Sequence, residues 1–279
     1  MRRSILCLAA LVALPIACAS PDAPPPAAIA ALATETLTVP VGPGVGLPVL
    51  VTRPAAVRGV MLFGHGGGTD PARYEGVANA FAARGWLVLR PAHADSSARA
   101  DRIRFDTPQA FSARVGELEA AAALGARLAP GKPLVAAGHS YGSLFAAMRG
   151  GALTGMGPPP STPVRAVLAF SSPGRIPGLI GPGSYAGLTV PTMVVTGDAD
   201  VIPGVPDWRQ HLAAFEDGPA GGKMALVVAG GTHASVLDPS GPAFAAAADF
   251  LAAHALGDRT ARARLDALRP TPALDVRRR

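Results

Sequence analysis

Cysteine is almost missing from this chain: Cys7 and Cys18 are the only two in 279 residues, and both lie near the N-terminus. No disulfide framework and no clustered-thiolate metal centre can be built from them. Charged residues are also few, 16% against 49% hydrophobic, a balance that excludes a globally disordered chain. The apolar run from Ile5 to Leu14 is too short to span a membrane. No repeat appears at solenoid periods, and the HExxH zinc motif is absent. What the chain has in quantity is glycine and proline, 33 and 29 residues, which implies many tight turns rather than a helical bundle.

The N-terminus reads MRRSILCLAALVALPIACAS, with two arginines, an apolar stretch and then small residues, the layout of an export signal. Cleavage after Ala19 removes both cysteines. Cleavage after Ala17 makes Cys18 the first residue, an arrangement similar to a lipobox that would attach the chain to a membrane through a lipidated Cys18, although Pro15 stands where that pattern has leucine. Residues 1–19 are therefore expected to be a signal peptide on an exported protein, either periplasmic, secreted or lipid-anchored, and the proline-rich residues 20–35 a tether. The mature chain has no disulfide and must rely on its core, which this length permits.

The net charge of +6 misleads about partners. Two arginines belong to the signal, and residues 258–279 hold seven arginines against Asp258, Asp266 and Asp275, leaving 16 basic and 16 acidic residues elsewhere. No basic stripe suggests nucleic acid. The arginine-rich C-terminal segment is expected to be a solvated, partly disordered tail, and the chain a monomer.

Between these ends, strand-like and helix-like segments alternate. TLTVPVG and LPVLVTRP read as edge strands, and GVMLFG, WLVLRP, PLVAAG, VRAVLAF, VPTMVVTG and KMALVVAG as buried ones. Helical patterns separate them, among them PARYEGVANAFAARG, residues 108–129, PDWRQHLAAFED and GPAFAAAADFLAAHAL. The pattern predicts an α/β fold over residues 36–257: a doubly wound, mostly parallel sheet with antiparallel N-terminal strands, whose sites open at the carboxyl ends of the strands.

The segment GHSYG, residues 138–142, follows a strand and opens a helix, the setting of a nucleophile elbow. Acyl transfer by a serine also needs a base, an acid to orient it and donors for the oxyanion. His233, in AGGTHAS, follows a predicted strand; of the other histidines, His93 is the main rival base. Asp198 and Asp200, in VVTGDADVIP, are the candidate acids, and the strand before them ends in Ser171 and Ser172 with no carboxylate. In FGHGGGTD, residues 63–70, the glycines can turn backbone N–H groups toward developing negative charge. Neither a Walker A lysine nor GxGxxG spacing is present, which argues against a phosphate loop.

Residues 36–256, with HGGGTDPARYEGVANAFAARGWLVLRPAHADSS, GHSYG, GDADVIP and GGTHAS in this order, resemble the α/β-hydrolase family. The branch they look like holds dienelactone-hydrolase-like proteins, platelet-activating-factor acetylhydrolases, chlorophyllases and bacterial polyester hydrolases. The resemblance implies Ser140 as nucleophile, His233 as base, Asp200 as acid, and the N–H groups of Gly67 and Tyr141 as oxyanion donors, with no cofactor or metal. Dienelactone hydrolases proper have a cysteine at the position of Ser140. Polyester hydrolases have an aromatic at the position of Gly67 and a tryptophan where this chain reads FSSPGRIPG, so a flat polymer would have little to stack on. Only about twenty residues lie between Phe170 and Thr192, too few for a large lid. Phe105 and Phe111 either border the pocket or lead into the following helix. The expectation is a carboxylesterase for small to medium acyl esters. A peptidase or amidase on the same triad, or a non-catalytic surface lipoprotein, is the alternative.

Overall fold

A computed structural model describes residues 32–157, 159–205 and 207–279; the signal and most of the tether lie outside the described residues. Nine strands form one sheet: β1 (Thr34–Gly42), β2 (Val45–Thr52), β3 (Gly59–Gly64), β4 (Trp86–Pro91), β5 (Leu134–His139), β6 (Val167–Phe170), β7 (Thr192–Gly197), β8 (Lys223–Val228) and β9 (Leu274–Arg278). Their order is β1-β2-β4-β3-β5-β6-β7-β8-β9. The pairs from β4 to β8 are parallel, while β1–β2, β2–β4 and β8–β9 are antiparallel.

The central strands are uninterrupted apolar runs because both faces of the sheet are covered. Their side chains alternate between two cores: Val60 and Leu62 of β3 enter one, Met61 and Phe63 the other. The first core is closed by α2 (Pro108–Leu128), α3 (Tyr141–Arg149) and α4 (Ala213–Glu216). The second is closed by α1 (Glu75–Ala82), α5 (Phe244–Ala255) and α6 (Arg259–Ala267). Helix α2 starts where Thr107 accepts the Ala110 N–H and Pro108 occupies the first turn, which needs no donor there.

Four expectations change. Residues 258–279 are not a solvated tail: Asp258 caps α6 through the Ala261 N–H, and β9 pairs with β8 along Met224–Val228. The arginines had hidden a short pattern in which Ala261, Leu265, Leu274 and Val276 are buried while the charged residues between them face outward. Strand β2 is internal, between β1 and β4, and β1 begins at Thr34, inside the range read as tether. The segment read as one helix over PDWRQHLAAFED is a 3-10 turn, Trp208–Leu212, followed by the four-residue α4.

Candidate active site

Ser140 sits between the end of β5 and the start of α3 with φ +52° and ψ −125°, one of three described non-glycine residues with positive φ. Such a conformation costs on the order of 1–3 kcal/mol and persists only where the surroundings hold it. Here the Ser140 N–H donates to Phe170 O at 2.9 Å, and Ser140 O accepts from Ser143 N–H and Oγ at 2.9 and 2.6 Å. Glycines make the turn possible. A Cβ on Gly138 would collide with the backbone of Gly142, and one on Gly142 with the carbonyls of Gly64 and His65. The elbow helix is thus pressed against the end of β3, where the HGGG loop begins.

That loop has one N–H left over. Gly66 N–H donates to Tyr74 Oη at 2.9 Å and Gly68 N–H to Asp95 Oδ2 at 2.7 Å, whereas the Gly67 N–H between them has no acceptor among the described residues. Neither has the N–H of Tyr141, the first residue of α3. The loop is set from below by Arg114, buried on α2, which donates to the carbonyls of His65 and Gly66 at 2.9 and 3.1 Å and to both carboxylate oxygens of Asp95 at 2.7 Å. Burial alone would raise the Asp95 carboxyl, but the Arg114 guanidinium and the Gly68 N–H outweigh it and hold it at about 2. Carbonyls pulled down toward a cation leave the Gly67 N–H facing the cavity.

Asp200 is fully buried and His233 partly exposed; His233 Nδ1 donates to Asp200 Oδ1 at 2.8 Å. Asp200 Oδ2 accepts from Ser171 Oγ at 2.5 Å and Thr196 Oγ1 at 2.9 Å. Burial works against this carboxylate, yet hydrogen bonds from His211, His233 and Ser171 hold it far below the usual carboxylate range. Asp198 does something else: its Oδ1 accepts the Gly230 N–H at 2.6 Å and fastens two loops. His93 is fully buried with Nδ1 2.8 Å from Glu117, whose carboxyl burial pushes up to about 7. It lies away from the Asp200 pair. Ser140 follows His139, whose ring centroid lies 4.5 Å from that of His233, and no hydrogen bond joins Ser140 Oγ to His233 in this conformation.

A cavity of about 890 Å³ opens beside Ser140, lined by Gly67, Phe105, Phe111, Tyr141, Met156, Ile176, Ile202 and Val205 among others. Both Phe105 and Phe111 border it. Gly67 is covered by an aromatic: a Cβ there would come within 2.7 Å of the Phe105 ring, which also meets Tyr141 edge-on at a centroid distance of 5.7 Å. An aromatic absent at position 67 in sequence is supplied in space from 38 residues further on.

The site also rests on residues to which the sequence reading gave no role: Arg114, Asp95, Tyr74, His139, Ser171 and His211. Tyr74, Asp95 and His139 lie inside the motifs but carry no signal of their own there, and only the packing brings all six to the site. One connection runs between the loops. Tyr74 Oη accepts from Gly66 and lies 3.0 Å from His139 Nδ1, and His139 Nε2 donates to the His233 carbonyl at 2.7 Å.

Solved structures resemble this arrangement in fold. TT1662 from Thermus thermophilus matches at TM-score 0.53 and 24% identity over 75% of this chain and 92% of that one. Esterase 2 of Thermogutta terrifontis, phosphorylated by paraoxon, matches at 0.54 and 20% over 72% and 84%. An α/β serine hydrolase homologue from Coxiella burnetii matches at 0.53 and 16% over 84% and 97%. The chain has the α/β-hydrolase fold. No protein-family model and no curated protein matches its sequence. In this fold a strand-to-helix elbow, a loop after an inner strand and two loops beyond it meet at one rim, which is where Ser140, Gly67, Asp200 and His233 lie.

Proposed function

We propose that this protein is an exported serine hydrolase, a carboxylesterase acting on small to medium acyl esters. The observation that carries the proposal is the strained Ser140 at the mouth of an apolar cavity, flanked by the two unengaged N–H groups of Gly67 and Tyr141. The Asp200–His233 pair on the same rim supplies the remaining parts. A similar fold serves, in the Thermogutta protein, as an esterase phosphorylated by paraoxon.

In this reading Ser140 Oγ attacks the ester carbonyl while His233 Nε2 takes its proton. The carbonyl oxygen becomes an oxyanion that the Gly67 and Tyr141 N–H groups receive, each donor contributing about 3 to 4 kcal/mol to the transition state. Asp200 fixes the ring through Nδ1–H and stabilises the imidazolium. His233 then returns the proton to the departing alkoxide, and water, deprotonated by the same nitrogen, releases the acid and restores Ser140.

The walls of the cavity are mostly aliphatic and aromatic, which suits an acyl chain better than a charged group. Residues 171–191 contain no helix or strand, so nothing there acts as a helical lid. A panel of p-nitrophenyl esters from two to sixteen carbons should therefore peak at eight carbons or fewer, with matched anilides cleaved far more slowly. An optimum at sixteen carbons would contradict the open site, and faster anilide cleavage would make the protein an amidase.

A further inference from the structure

Four histidines surround the site, and the partners of their ring nitrogens fix how many protons each holds. His139 donates from Nε2 to a carbonyl, while its Nδ1 faces the Tyr74 hydroxyl, which has a proton to give; it is neutral. Burial agrees, lowering its pKa to about 4. His65 donates from Nδ1 to Gly66 O and accepts the His93 N–H at Nε2; it too is neutral. His233 donates from Nδ1 and keeps Nε2 free.

His211 differs from all three. Its Nδ1 is hydrogen-bonded to Ser172 O, and its Nε2 lies 3.0 Å from Asp200 O and 3.2 Å from Asp200 Oδ1. Carbonyl and carboxylate oxygens can only accept. A lone pair on either nitrogen would face oxygen lone pairs in a fully buried pocket, where an unmade hydrogen bond is most costly. We infer that His211 is a standing imidazolium that shares the Asp200 carboxylate with His233, holding that carboxylate in place and setting how strongly it draws a proton onto His233.

The surrounding groups fit this assignment. Among the described residues Asp200 is the one anion in hydrogen-bond reach of His211; the other titratable groups facing it are His233 from the loop after β8, with ring centroids 6.0 Å apart, and neutral His139 at the end of β5. Burial disfavours the cation, but Asp200 and the Ser172 carbonyl outweigh it and raise the His211 pKa. The Asp200 carboxylate then receives hydrogen bonds from His233 Nδ1 on Oδ1 and from Ser171 and Thr196 on Oδ2, with the His211 ring in ion-pair contact at Oδ1. His233 faces a nearly neutral pair rather than a whole negative charge. His211 meets Asp200 and His233 but not the reacting atoms, which makes it a positioning residue.

The proton count is independent of activity; the effect on His233 rests on the hydrolase reading. Long-range ¹⁵N–¹H correlation NMR of the wild-type protein at pH 8, with the His211 ring assigned from its own backbone, reads the count directly. Both His211 nitrogens should be of the protonated type while His139 shows one of each. A pyridine-like nitrogen on His211 would overturn the inference. In His211→Gln, which keeps a donor but loses the charge, the acid limb of kcat/KM should move up by about one unit. An unmoved limb in a folded variant refutes the shared-charge role. If Ser140 proves unreactive, the hydrolase reading fails while the NMR result still decides the protonation of His211.

Discussion

Asp200→Asn is expected to lower kcat for a p-nitrophenyl ester by about ten-thousand-fold, the scale seen when the acid of a serine triad is made neutral. The amide cannot satisfy the donors that converge on this position. His233 Nδ1, Ser171 Oγ and Thr196 Oγ1 all need an acceptor there, and an Asn side chain offers one oxygen where the carboxylate offers two. If the NH₂ group turns toward His233, Nδ1 must accept and the proton moves to Nε2, the nitrogen that should receive the serine proton. Asp198→Asn is the matched control. It weakens one bond to the Gly230 N–H and should leave kcat within a few-fold. Steady-state kinetics on the two variants, with folding checked by circular dichroism, separates the carboxylates. Comparable losses in both would contradict the assignment of the acid.

The second large effect is on the backbone. In Gly142→Ala a methyl group must enter where the carbonyls of Gly64 and His65 already lie, and backbone cannot rotate away as a side chain can. Overpacking of this kind costs typically 1–3 kcal/mol, and a clash with two carbonyls belongs at the upper end, about 3 kcal/mol. For a domain of this size that is a fall in Tm of roughly 6–12 °C. The end of β3 is also where the HGGG loop begins, so relief of the clash displaces the Gly67 N–H and should reduce kcat/KM by a further hundred-fold or more. Gly116→Ala, in the interior of α2 with open space around its Cβ, is the control; it should stabilise by about 0.5–1 kcal/mol. A Gly142→Ala protein with wild-type Tm and activity would mean that the elbow is not pressed against β3.

Both predictions use residues that the sequence marks clearly, and the reason is physical. A strand buried on both faces must be apolar throughout, so β3, β4, β5 and β7 stand out as runs, and the polar residue or glycine that follows each run marks the rim. Ser140, Asp200, His233 and the HGGG loop are legible for that reason. The antiparallel C-terminal edge is not, because α6 and β9 bury only two side chains each in a segment dominated by arginine. The supports of the site are hidden differently. Arg114 lies on a helix whose exposed face also carries charge, and nothing local distinguishes an arginine that points inward. His211 sits in a 3-10 turn near Trp208, and only the tertiary fold brings it beneath Asp200. The sequence leaves Phe105 open between pocket border and helix leader, because its contact with Gly67 depends on a loop path that no periodicity encodes.

The account stands or falls on the reactivity of Ser140, and labelling with a fluorophosphonate probe tests it most directly. The folded wild-type protein should take up one equivalent at Ser140, located by peptide mass spectrometry, and lose esterase activity in step. Ser140→Ala, with unchanged Tm, should remain unlabelled and inactive. A folded wild-type protein that stays unlabelled, or a Ser140→Ala variant that still hydrolyses esters at the wild-type rate, would contradict it.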